Sequence, residues 1–81
     1  MRYYILHHVG GSEGRYVEGD TLGECLADLQ TYAFLPPDTT LDAYMALLFF
    51  TLTDTVGEDL TPEVIFDLMR SRGLAQEVVE T

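Results

Sequence analysis

The sequence predicts an α+β domain: an N-terminal β-hairpin followed by three helices, the second of them central and most buried. Three observations carry this. Residues 2–9 and 15–18 are rich in Tyr, Ile and Val and flank a glycine-rich turn. Three later segments open on threonine caps and carry apolar residues at helical spacing. One of them, Thr39 to Val56, holds eight consecutive apolar residues from Ala43 to Phe50, the greasiest run in the chain.

In the first strand, Tyr3, Ile5, His7 and Val9 alternate with Arg2, Tyr4, Leu6 and His8. Neither face is cleanly polar, so both are expected to be partly covered. Gly10-Gly11-Ser12-Glu13-Gly14 reads as the hairpin turn, because glycine tolerates positive φ. It lacks the lysine of a P-loop and leads into a strand, so it is no phosphate cradle.

The first helix begins at Thr21, where Thr21 and Glu24 fit a capping box. Leu22, Cys25, Leu26, Leu29 and Ala33 form its buried stripe, and Pro36-Pro37 is expected to end it. The second helix begins at Thr39, with Asp42 in its first turn. Leu41, Met45, Leu48 and Leu52 form its core seam, and Tyr44, Phe49 and Phe50 are more apolar surface than a small domain is expected to bury. Gly57 is the expected end of that helix. The third starts with Thr61 as cap and Pro62 in the first turn, faces Val64, Ile65, Leu68 and Met69 inward, and ends at Gly73 in a left-handed cap. Residues 75–81 read as a helical turn, a third strand through Val78 and Val79, or a frayed tail, the last being favoured. The 81 residues constitute a single compact domain.

A chain this short gains little net stability from burial alone, which leaves room for a homodimer or a larger partner. One cysteine excludes an internal disulfide framework. No signal-peptide pattern is present and the apolar run is too short to span a bilayer, so a cytoplasmic protein without membrane contact is expected. Fourteen acidic residues stand against four arginines, with no lysine, for a net charge of −10. That balance argues against direct binding to nucleic acid, which requires cations to neutralise phosphate. It permits solubility, a basic partner, or imitation of nucleic acid.

Candidate chemistry is sparse. His7 and His8 are neighbours on a strand and point to opposite faces, so they cannot chelate one metal together. Cys25 lies on an apolar stripe and would need a base to act as a nucleophile; as a small hydrophobe it needs none. The pairs Glu24/Asp28 and Glu63/Asp67 read as solvated helix faces. No catalytic residue, metal or cofactor is predicted, and the protein is not expected to be an enzyme.

The feature with most functional content is the series Asp54, Glu58, Asp59, Glu63 and Asp67, five acids in fourteen positions with no basic residue among them. Together with Tyr44, Phe49 and Phe50 it forms the predicted partner-binding surface, suited to a basic protein that itself handles nucleic acid. By analogy of size and charge, the chain is similar to phage or mobile-element inhibitors of host defence, of the anti-CRISPR or anti-restriction type, where carboxylates can mimic phosphates. The alternative is an interaction or oligomerisation module, antitoxin-like or structural. The segment Tyr16-Val-Glu-Gly-Asp-Thr-Leu-Gly-Glu-Cys-Leu-Ala-Asp-Leu29 resembles the strand-to-helix step of small HicB-type antitoxins, over under a fifth of the chain. The proline-glycine segment that precedes it in that family is absent.

Overall fold

The computed structural model describes residues 1–9 and 15–80; the glycine-rich turn of residues 10–14 lies outside them. The element order is β1 (Arg2–His7), β2 (Tyr16–Gly19), α1 (Leu22–Thr31), α2 (Leu41–Thr53), α3 (Pro62–Ser71) and β3 (Ala75–Val79). The α+β class and the hairpin are as the sequence predicts: β1 and β2 pair antiparallel, with Leu6 opposite Val17 and Ile5 opposite Glu18.

The C-terminal segment corrects the expectation of a frayed tail. Residues 75–79 form a third strand on the free edge of β1, giving the order β2-β1-β3, all antiparallel. Val78 and Val79 suit a pleated surface, and the edge of β1 offers N–H and C=O groups that need partners. The ladder runs past both ends of β3: His7 N–H donates to the Leu74 carbonyl (2.8 Å), and Glu80 N–H donates to the Met1 carbonyl (2.7 Å).

Tyr4 and Leu6 point to the helices. Leu6 is fully buried, between Val17 and Ala75 on the flanking strands. Gly19, opposite Tyr4, sits against the Cys25 sulfur. The Tyr4 and Phe66 rings meet in a T-shaped arrangement, centroids 5.4 Å apart at 78°, a favoured aromatic geometry. Helices α1 and α3 pack on this face of the sheet. Helix α2 packs on α1 and α3 rather than on the sheet, and so is an outer layer. This corrects the expectation that the second helix is central and most buried. The fully buried helical side chains, Cys25, Leu26, Leu29, Ile65 and Met69, belong to α1 and α3. The physical reason is position: an outer helix can bury one side only, however apolar its other sides are.

The three caps are threonines. Thr21, Thr40 and Thr61 accept from the backbone N–H groups of Glu24 (3.2 Å), Ala43 (3.1 Å) and Val64 (3.3 Å). Each such cap stabilises a helix by about 1 kcal/mol. The second cap is therefore Thr40, one residue later than expected. Two helix ends also differ. Helix α1 stops at Thr31, before the prolines, in a turn where the N–H groups of Tyr32 and Ala33 reach back to Leu29 and Gln30 and Phe34 takes φ 54°. Helix α2 stops at Thr53 rather than Gly57, because Asp54 adopts the left-handed conformation at φ 58° and its N–H closes on the Phe50 carbonyl (2.7 Å). Helix α3 ends as predicted: Gly73 has φ 74°, its N–H bonds to Arg70, and the Leu74 N–H bonds to Met69. Those two bonds define a Schellman motif.

The buried side of α3 is Ile65, Phe66 and Met69; Val64 is exposed and Leu68 only partly buried. The apolar run Val64-Ile-Phe allows two helical phases, and the aromatic contact with Tyr4 holds the one that buries Phe66.

Candidate functional site

The side of α2 opposite its packed seam carries Ala43, Leu47 and Phe50, spaced four and three apart and therefore aligned. Leu47 and Phe50 are 46% and 48% exposed. Asp54 continues this line one turn later, as the left-handed cap. Beside it, Asp42, Ala46, Gly57, Asp59 and Leu60 line a shallow groove between α2 and the loop that follows. The result is an apolar stripe bordered by carboxylates.

Of the three aromatic residues predicted for a partner surface, only Phe50 is exposed. Tyr44 is buried in the core, where loss of solvent pushes its phenol up to about 12. Phe49 is half-buried, with its ring against Gly57. Leu47 and Asp42 are also exposed on this side of α2 and were not among the predicted residues. Their signal is present in the sequence: with Met45, Leu48 and Leu52 inward, Leu47 must face outward beside Phe50.

The predicted acidic series divides. Asp54, Glu58, Asp59, Glu63 and Asp67 are all exposed. Asp59 joins Asp42 in the groove, and Asp54 ends the Leu47–Phe50 stripe. Glu58, Glu63 and Asp67 do not line the groove; Glu63 and Asp67 share the outer face of α3 by their four-residue spacing. Asp67 is paired with Arg70 at 3.2 Å, so this end of the series is partly neutralised.

Other groups offer little chemistry. The buried Cys25 thiol lies 3.7 Å from the Tyr4 carbonyl and is pushed up to about 11, by burial first and then by Asp28, Glu24 and Asp20. A thiol so raised is not a poised nucleophile. His7 packs on the Tyr16 ring at 5.7 Å, and the buried Nδ1 of His8 has no hydrogen-bond partner among the described residues. Among those residues no three His, Cys, Asp or Glu side chains are placed to hold a metal ion, and no helix is long and apolar enough to cross a membrane. Compared with protein-family models, curated proteins and solved structures, the chain matches none.

Proposed function

We propose that the protein is a non-enzymatic inhibitor that occupies the basic surface of a nucleic-acid-handling protein, in the manner of anti-CRISPR or anti-restriction proteins. One observation supports this reading most: the half-exposed Leu47 and Phe50 on α2, bordered by Asp42, Asp54 and Asp59. Apolar anchors within a charged rim suit a protein interface, the anchors supplying affinity and the rim steering the encounter. The net charge of −10 selects a basic partner and disfavours nucleic acid itself. A self-associating module could use the same stripe, but it would bring two strongly acidic chains together.

The test is capture of partners from the host with the immobilised protein, followed by competition with duplex DNA and RNA. The expected partner binds nucleic acid, is displaced by it, and is released by raised salt. The double variant Asp42→Lys, Asp59→Lys and the variant Phe50→Asp should each release it while the circular dichroism spectrum stays unchanged. Retention at undiminished affinity by both folded variants would sink the proposal.

A further inference from the structure

We infer that the helix-free face of the sheet is a second docking surface, which accepts a basic amphipathic helix of a partner protein. Among the described residues, all three helices lie on the Tyr4–Leu6 side of the sheet. The other side presents Tyr3, Ile5 and Val78, with Tyr3 opposite Val78 and Ile5 opposite Glu18. These three apolar residues are partly exposed and are not among those packed against the core. At one end of the face, the His7 and Tyr16 rings meet across the strands in a tilted arrangement. At the other, Tyr3 lies in a groove with Met1, Glu18, Gly19, Asp20 and Glu80.

Charge complementarity names the occupant. Three acidic residues line the groove with one aromatic residue, and the chain's own guanidinium groups are engaged elsewhere. Arg2 pairs with Glu77 at 3.5 Å, Arg15 stacks on Tyr32, Arg70 pairs with Asp67, and Arg72 bonds to Ser71. The Met1 amino group in the same groove donates to the Glu80 backbone carbonyl. There is no lysine. An incoming arginine would meet the Tyr3 ring, as a cation over an aromatic face, within a ring of carboxylates. Apolar residues on the same helix would cover Ile5 and Val78, as α1 and α3 cover the opposite face. A second copy of this chain fits less well, since it would add a further net charge of −10 to an acidic rim.

The surface is distinct from the stripe on α2, and the two can be tested separately. The probe is a synthetic amphipathic helical peptide of leucine and arginine, titrated into the isotope-labelled full chain and followed by amide chemical shifts. The expected shifts cluster at Tyr3, Ile5, Glu18 and Val78. The same composition scrambled to remove the apolar face should bind more weakly, and a glutamate-for-arginine version should not bind. Glu18→Lys, Asp20→Lys and Glu80→Lys together should weaken binding about tenfold, as expected for three exposed charge pairs. Asp42→Lys with Asp59→Lys should leave it unchanged. Shifts confined to α2 and α3, equal binding of the scrambled peptide, or unaltered affinity in the folded triple variant would overturn the inference. So would self-association of the wild-type chain through Tyr3 and Ile5 in sedimentation.

Discussion

The ring of Phe49 lies directly under Gly57: a β-carbon added at Gly57 would come within 2.7 Å of Cδ1 of that ring and 2.9 Å of Leu60 Cδ2. This contact seats the loop after α2 on the helix. Elsewhere in a loop, alanine for glycine gains stability by restricting the unfolded chain. Here overpacking dominates, so Gly57→Ala should lose about 1–3 kcal/mol in urea unfolding. A stability gain would show that the ring yields easily.

The phase of α3 can be checked by two substitutions. Phe66→Ala should cost about 3–5 kcal/mol, the usual loss for a buried phenylalanine. Val64→Lys should stay within about 0.5 kcal/mol of the parent, as for an exposed helical site. Equilibrium denaturation of both reports which face is inward.

Two left-handed caps should respond oppositely. Gly73→Ala puts a side chain at φ 74° and should lower stability by about 1 kcal/mol. Asp54→Gly relieves a side chain at φ 58° and removes a negative charge from a helix C-terminus, so it should raise the melting temperature. A fall on Asp54→Gly would mean that the aspartate side chain itself holds the loop.

Alkaline pH should destabilise the protein. The Cys25 thiol is raised from 9.0 to about 11 in the folded chain, so between those values the native state keeps a proton that the unfolded state has lost. Stability is therefore full below pH 9.0 and falls as pH rises towards about 11. Tyr44, raised from 10.0 to about 12, extends the loss upward. Cys25→Ala should flatten the lower part of the profile and Tyr44→Phe the upper part, as read by denaturation midpoints across pH.

Ending the chain after Leu74 should abolish cooperative unfolding, because it removes the partner of one edge of β1 and the buried Ala75. A truncated chain that kept a sharp thermal transition would show β3 to be dispensable.

Much of this architecture is legible in local chemistry. Thr21, Thr61, Pro62 and Gly73 announce helix ends through hydrogen bonds to near neighbours, and the structure places them as read. Errors arise where a distant residue decides. Val78 and Val79 form a strand because β1, far away in sequence, has an unpaired edge. Leu41 to Thr53 is apolar almost all round, and only the packing of α1 and α3 on the sheet makes α2 an outer layer. The same cause divides the candidate surface: Phe49 is withdrawn by Gly57, while Leu47 is left outside. The mixed character of β1 was visible in sequence, where neither face is cleanly polar. Only the placement of the described helices shows which face they leave uncovered.

The pairing of β3 with β1 also has a kinetic side. Arg2 opposes Val79, so one ladder joins nearly the two limits of the described chain. Closing so long a loop carries an entropic cost before any contact rewards it, and folding slows as such distant contacts gain weight. During synthesis the hairpin and all three helices leave the ribosome before the strand that completes their sheet. The nascent chain therefore holds an open edge on β1 until residues 75–79 emerge, and the three-stranded sheet closes only after β2 and all three helices have been made.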